Sequence, residues 1–488
     1  MLRDLLVISD LHLGDDLGPK SPTVVRLELE LIAFLDHHRT DGRDWQLVIN
    51  GDMLDLIGVT LMPSDVAPVG PLHPYDHHYG LGGRARAAQL KLRHIVAHHR
   101  EVFRALARFV GAGHGLAMVI GNHDAELHWP GVQDALVSEL CALCVDEAGG
   151  DGVRVRDNTS FCPWFFLEEG VAFIEHGHQY DPYCSFENVL APATDEYEID
   201  VNVGVLLLRY LGSQFGDDFR GAWGRGFWGY IRFWLAQGPS RAGAIVGAYV
   251  HMCRRLVEHW RARHPARIAA RLERAHRKRA RLGKRVRLSE DKLHRLARLW
   301  RPPVVVDLNR LVQAVMLDRL LLLLSAPALL ILLVAVLPWQ WQPVALVAVV
   351  PVLGGWGWWA STAREPADPR PTIREAVGTI RSVVRVPYVV MGHTHHPVAD
   401  AAAGYFNTGT WIPHGDGLSA FTHVRIERTA AGATAMLCQW RDGASRMFNP
   451  ERLVSAREDG DRGGEPDRIH PRPADGIAGC AEAPATHP

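Results

Sequence analysis

Side chains that bind metal ions occur in five short blocks along this chain. They are Asp10-Leu11-His12, Gly51-Asp52, Gly121-Asn122-His123-Asp124, His176-Gly177-His178 and Gly392-His393-Thr394-His395. Carboxylate, imidazole and amide oxygen suit manganese, iron or zinc, and the lack of a cysteine cluster points away from a structural zinc site. Two divalent cations about 3.5–4 Å apart need a shared anionic ligand with neutral nitrogen ligands around it. The five blocks together contain the parts of one dinuclear centre.

The elements that must position these blocks are short apolar runs. Leu5-Leu6-Val7-Ile8, Leu47-Val48-Ile49, Ala117-Met118-Val119-Ile120 and Val171-Ala172-Phe173-Ile174 lead into the first four, and Tyr388-Val389-Val390-Met391 leads into the fifth. Runs of this length predict strands covered on both faces. Loops at strand ends are where α/β folds gather functional groups.

In order and composition the five blocks resemble the calcineurin-like metallophosphoesterase superfamily, whose pattern is D-x-H, G-D, G-N-H-D/E, H and G-H-x-H. The resemblance covers roughly residues 1–185 and 383–445. It implies an α/β fold, a four-layer αββα sandwich of two mixed sheets. It also implies that Asp10, His12, Asp52 and His395 hold one metal, and that Asp52, Asn122, His176 and His393 hold the other. A hydroxide between the two ions would attack phosphorus in line with the leaving oxygen. His123 would protonate the leaving group, oriented by Asp55 of Gly-Asp-x-x-Asp. His178 has a second reading, as the fourth-block ligand in place of His176; the family's H-G pattern favours His176. The cofactors expected are two divalent ions, manganese first and iron or zinc next. A degenerate, metal-free relative is the competing view, but no ligand position is missing.

At 488 residues the chain exceeds one ordinary domain, and its net charge of −1 hides strong segregation. Seven cysteines without framework spacing predict reduced thiols and a cytosolic setting. Cys141 and Cys144 are most simply two residues on one helix face within Leu136–Val145. Asp4 and Asp10 bracket a run too short for a secretory signal.

Residues 186–382 read as a helical, basic insertion. Between Arg319 and Arg364 lie 44 residues without a charged side chain. Leu320–Leu337 and Pro343–Ala360 each supply enough apolar residues for about 27 Å of helix, close to a hydrocarbon core. The hydrophobic hairpin 320–360 therefore predicts two membrane segments, with a re-entrant hairpin or a buried soluble one as the other possibilities. His176 and His393 lie on either side of it and must meet in one centre, so the chain must return to the side it left. Residues 254–301 carry 18 Lys and Arg against four acids. That bias predicts a bacterial-type inner membrane location with the catalytic domain facing the cytoplasm. The same stretch is a surface for anionic headgroups. No RNA or DNA motif accompanies it, which argues against nucleic acid.

Phe215, Phe219, Trp223, Phe227 and Tyr230 recur at helical spacing and predict an interfacial or core-packing helix. His73, His77 and His78 fall in a loop, and His94, His98 and His99 on a helix predicted from Arg84 to Val110. His94 and His98 share a face, with no third ligand evident. Residues 446–488 read as a disordered tail. Strands from Ala403 to Trp411 and from Ala420 to Gln439 are expected to complete the second sheet after Gly-His-Thr-His.

These observations point to a membrane-associated phosphoesterase, distantly similar to UDP-2,3-diacylglucosamine diphosphatases, acting on a phospholipid or lipid-linked substrate. It departs from those enzymes at His123, where they carry Arg, and in its larger insertion. The alternatives are a membrane-tethered phosphodiesterase or nuclease for soluble nucleotides, a phosphoprotein phosphatase, and a scaffold without activity.

Overall fold

The computed structural model describes residues 3–14, 17–66, 72–148, 150–192, 199, 202–212, 227–236, 238–261, 263–362, 368–413, 419–430 and 432–448. The tail from 449 and most of the aromatic stretch, including Phe215, Phe219 and Trp223, lie outside them.

The apolar runs do form strands. A seven-stranded sheet is built from β1 (Asp4–Ile8), β2 (Trp45–Asn50), β3 (Gly115–Val119), β4 (Thr159–Cys162), β10 (Thr422–Thr429), β11 (Gly432–Arg441) and β12 (Ala444–Met447). Its order is β12-β11-β10-β1-β2-β3-β4. A five-stranded sheet comprises β5 (Phe165–Glu168), β6 (Ala172–Glu175), β7 (Tyr388–Met391), β8 (Val398–Asp400) and β9 (Tyr405–Asn407), in the order β5-β6-β7-β9-β8. Both sheets are mixed. β1, β2, β3 and β4 run parallel, whereas β1 meets β10 antiparallel with Leu5 opposite Ile426.

Alternation along the strands explains the burial. Leu6, Ile8, Leu47, Ile49, Leu116 and Met118 pack beneath the helices Pro22–Thr40, Ala85–His98, Arg100–Gly111 and Pro130–Ala148. Leu5, Val7, Val48 and Ala117 are buried on the opposite face. The helix Arg370–Val384 lies on the second sheet through Ile373, Val377 and Ile380, beside Leu282, Leu293 and Leu296 of the insertion. Asn50 Nδ2 donates to the Glu175 carbonyl (3.0 Å) and Tyr388 Oη to the Ala433 carbonyl (2.9 Å), so the two sheets are bonded to each other.

Local signals set the helix ends. Ser21 Oγ accepts the Val24 amide and Pro22 opens the helix, while Ser289 does the same for Lys292. One expected helix is two: Ala85–His98 and Arg100–Gly111, broken at His99. The break is a long-range demand, because His99 Nδ1 meets Glu28 Oε1 (2.7 Å) and Nε2 accepts the Gly14 amide (3.1 Å). β4, β5, β8 and β12 were not expected, and the strands expected over Ala420–Gln439 form a β10–β11 hairpin in the first sheet, not the second, because β10 pairs with β1.

The helices Leu317–Val336 and Gln342–Thr362 are long and apolar enough to cross a membrane. Their mean hydropathies over the spanning windows are 2.5 and 1.2, and neither window is buried. A hairpin buried in a soluble domain would hide these faces, and this one exposes them. Gln342 Nε2 donates to the carbonyls of Val334 and Leu337, closing the turn between the helices. At the base, Tyr249 Oη donates to the Val315 carbonyl (2.8 Å), joining the hairpin to the helix Pro239–Arg261.

Two buried imidazoles beneath the first sheet make stability depend on acid. His38 Nδ1 sits 3.0 Å from Asp41 Oδ2, and its Nε2 is 3.1 Å from Ser445 Oγ, which also meets His423 Nε2 (2.9 Å). Burial pushes His38 down to about 4 from 6.5, and pushes His423 well below it. The unfolded chain therefore binds protons that the folded one excludes. Stability is complete above pH 6.5 and is lost as pH falls toward 4. Between pH 5 and 7.5 the wild type should gain about 2 kcal/mol more unfolding free energy than His38→Gln, read by chemical denaturation. An equal pH response in the two proteins would show that the His38 ring is not held neutral.

Candidate metal centre

Each ligand block sits where a strand ends, and several of its residues adopt backbone that side chains avoid. Asp10, His12, Asp52, His393 and His395 have φ between 45° and 65°. Such positions cost roughly 1–3 kcal/mol each and persist where surrounding structure enforces them. Clustering of five in one place marks a site rather than a packing accident.

The glycines of the blocks allow the loops to meet. A Cβ on Gly121 would fall 2.1 Å from Asp52 Oδ1, and one on Gly392 2.6 Å from Ser9 Oγ and 2.8 Å from Asp10 Oδ2. Gly51, at φ +81°, would place a Cβ 2.4 Å from the His176 ring. His123 donates its backbone amide to Asp52 Oδ1 (2.9 Å), and His393 donates its own to Asp10 Oδ2 (3.2 Å).

The side chains converge as two groups. Asp10, His12 and His395 form one, and Asp52, His176 and His393 the other, with ligand atoms in each within 4.8 Å of one another; His12 and Asp52 also group with His123, and His393 with Asp181 and Cys184. His395 Nε2 is 3.1 Å from Asp10 Oδ1 and 3.2 Å from His12 Nε2. Asp52 Oδ2 stands between the groups, 3.1 Å from His176 Nε2 and 3.9 Å from His12 Nε2. These buried His and Asp groups could hold a metal ion.

The donor set fits a cation. Asn122 Oδ1 is buried without a hydrogen-bond partner, and Asp10 Oδ1 and His176 Nε2 face only other candidate ligands, His395 Nε2 and Asp52 Oδ2, at 3.1 Å. A positive ion answers all three. His176 donates Nδ1–H to the Asn50 carbonyl (2.8 Å), which fixes the ring and aims Nε2 into the centre. Burial, then His123, pushes His12 down to about 3, so it is the neutral imidazole that ligation needs. Burial alone would raise Asp52, but His176 and His123 outweigh it and hold the carboxylate ionised.

Asp55 and His123 form a pair beside the ligands. Asp55 Oδ1 lies 3.2 Å from His123 Nδ1, and its backing is the Gly58 amide at 2.6 Å from the same oxygen. Burial would raise Asp55, yet His123 and His12 hold it at about 2.

Supporting roles were hidden from sequence reasoning, that of Asp124 included although the residue stands in the third block. Asp124, fully buried, accepts the Gly121 amide (2.7 Å) and the Met53 amide (3.0 Å), so it clamps the second block to the third. Ser9 Oγ bonds Asp10 Oδ2 and meets Thr408 Oγ1 (2.6 Å), and Thr410 Oγ1 donates to the Asp10 carbonyl (3.0 Å). Asn407 Nδ2 donates to the Gly392 carbonyl (2.8 Å). The polar run Asn407-Thr408-Gly409-Thr410 at a strand end was the available signal. Asp181 Oδ2 is 3.1 Å from His393 Nε2, a contact no motif announced.

Other histidines stay apart. His178 Nε2 takes the Gln179 amide (3.0 Å) and is outside the two groups, which favours His176 as the ligand. His94 Nδ1–H donates to the Leu90 carbonyl rather than joining His98 on a metal. His37, His38 and Asp41 also have ligand-compatible spacing, but His38 is committed to Asp41 and Ser445. No family model, curated protein or solved structure matches the chain.

Proposed function

We propose that this chain is a membrane-associated, dinuclear metal-dependent phosphoesterase of the calcineurin-like kind, cleaving a phosphoester or diphosphate bond of a lipid or lipid-linked substrate. The observation that carries this reading is the convergence of Asp10, His12, His176, His393 and His395 on Asp52, from four distant blocks of the chain in all. Two mixed sheets with helices on their outer faces support the four-layer arrangement of that family.

Asp10, His12, Asp52 and His395 would hold one divalent ion, and Asp52, Asn122, His176 and His393 the other. The mixed oxygen and nitrogen donors make manganese the first choice, then iron or zinc. Bound there, two such ions would acidify a water and neutralise charge in an in-line displacement at phosphorus. The chain's own contribution is a proton. Asp55 engages His123 Nδ1, leaving Nε2 to carry a proton to the leaving oxygen.

His123→Gln should therefore lower kcat by about 10²–10⁴-fold while bound manganese, measured by plasma mass spectrometry, stays at the wild-type level. Asp55→Asn should lower kcat less, with the same metal content. Unchanged kcat in His123→Gln would remove this histidine from the reaction.

The lipid assignment rests on the hairpin. Trp339 and Trp341 are exposed at its tip, and Trp356, Trp358 and Trp359 near its base, so aromatic rings stand at both ends of an apolar span. The basic stretch 254–301 precedes the first span and supports a cytoplasmic catalytic face.

The test is phosphorus NMR on cell-envelope lipids incubated with manganese-loaded protein in detergent, beside Asp52→Asn. A lipid resonance that shifts with the wild type alone identifies the bond cleaved. Unchanged lipids alongside rapid cleavage of a soluble diester would leave the hairpin as an anchor and favour a soluble nucleotide substrate.

A further inference from the structure

Beside the candidate metal ligands lies a small, partly open cavity of about 50 Å³, and Asn122 lines it. The core contributes Lys91, from the helix Ala85–His98, and Glu126, from the turn that follows the third block. The insertion contributes Leu206, Arg209 and Arg255.

Two of these groups are costly where they are. Lys91 is 3% exposed and Glu126 4%. Lys91 Nζ donates to the Leu56 carbonyl (2.8 Å), which leaves further N–H donors on the ammonium. Glu126 Oε2 has no hydrogen-bond partner. Burial pushes the Lys91 amine down to about 8 and raises the Glu126 carboxyl. Buried ionisable groups that line a cavity beside a reactive centre are commonly there for a ligand.

The walls have two characters. Arg209, held by Asp76 (2.7 Å) and the Gly80 carbonyl (2.8 Å), stands with Lys91 and with Arg255, itself paired with Glu258 (3.4 Å), as the basic side. Ile57, Phe186 and Leu206 give an apolar side. The helix that carries Arg255 is also the one whose Tyr249 grips the hairpin base, less than two turns away. One wall of the cavity is thus carried by a helix that also contacts the base of the hairpin.

We propose that this cavity is a substrate subsite, and that it selects an anionic amphiphile. A phosphate-type charge remote from the scissile phosphorus would lie against Arg209, Arg255 and Lys91, with a hydrocarbon arm against Phe186 and Leu206. Glu126 would bond a hydroxyl or a protonated phosphate oxygen. The assignment rests on the phosphoesterase reading for what lies at the metal end; binding in the subsite itself needs no metal.

The experiment is titration calorimetry on the full chain in non-ionic detergent, stripped of metal with a chelator so that the ligand blocks cannot hold the probe. Octyl phosphate, below its micelle concentration, is compared with inorganic phosphate. Octyl phosphate should bind at least tenfold more tightly. Arg255→Gln should weaken both probes fivefold or more, whereas Phe186→Ala should weaken octyl phosphate and leave inorganic phosphate unchanged. Should Phe186→Ala fail to fold, Arg255→Gln decides alone. Equal affinity for the two probes, or octyl phosphate binding that survives Arg255→Gln, overturns the subsite and puts the probe in the detergent belt. Hydrolysis of bis(p-nitrophenyl) phosphate by the manganese-loaded chain reports separately on the reaction. Hydrolysis without octyl phosphate binding sinks the subsite alone, and binding without hydrolysis sinks the phosphoesterase reading alone.

Discussion

Asp52→Asn is expected to reduce manganese-dependent phosphoester hydrolysis by roughly 10³-fold or more, beyond what loss of a single electrostatic donor usually costs. Asp52 is 1% exposed, and its Oδ2 is the atom placed between the two ligand groups. The amide keeps the shape and loses the charge that two cations would share. The variant should also lose its response to metal. Manganese at about 100 times its Kd stabilises a binding-competent fold by about 2.7 kcal/mol, read as a rise in melting temperature that Asp52→Asn should lack. Wild-type turnover in Asp52→Asn would overturn the dinuclear reading. A normal thermal shift with no turnover would confine the effect to catalysis.

Gly51→Ala should be among the most damaging neutral substitutions in the chain. Its φ of +81° already strains any side chain by about 1–2 kcal/mol. The added Cβ would also stand 2.4 Å from His176 Cγ and Nδ1, a ring pinned by the Asn50 carbonyl and fully buried. Overpacking of that kind adds about 1–3 kcal/mol, and displacing His176 removes a ligand. Gly42→Ala supplies the comparison, because Gly42 has φ +82° and nothing within 4 Å of its Cβ position. Denaturant titrations should show Gly51→Ala destabilised by about 2–5 kcal/mol and Gly42→Ala by the backbone part alone. Equal losses would mean that His176 is free to move.

The five strands that carry the blocks were legible because strands buried on both faces are written as unbroken apolar runs, with the chemistry at their ends. The hairpin was legible for a related reason: nearly all of its two helices falls in 44 residues without a charged side chain, so composition alone outlines it. What escaped was whatever depends on a distant partner. His99 looks like an interior helix residue until Glu28 and Gly14 pull it out of the helix. Asp181 is one aspartate among many until folding brings it against His393. Lys91 and Glu126 are ordinary helix and turn residues by sequence, and their burial beside Asn122 arises from walls contributed far along the chain. Asn407 and Thr408 sit in a stretch read as strand, which hid their part in fixing the fifth and first blocks.

The pairing of β1 with β10 places Leu5 opposite Ile426. A ribosome therefore releases the first strand long before its neighbour exists, and that strand's edge waits through most of translation. The hairpin emerges in between, ahead of His393 and His395. The two hairpin helices are therefore complete before the last candidate ligands are made. A nascent chain that stalls after residue 362 carries the hairpin but neither His393 nor His395. On the proposed reading, synthesis in this order would keep hydrolytic activity at the membrane.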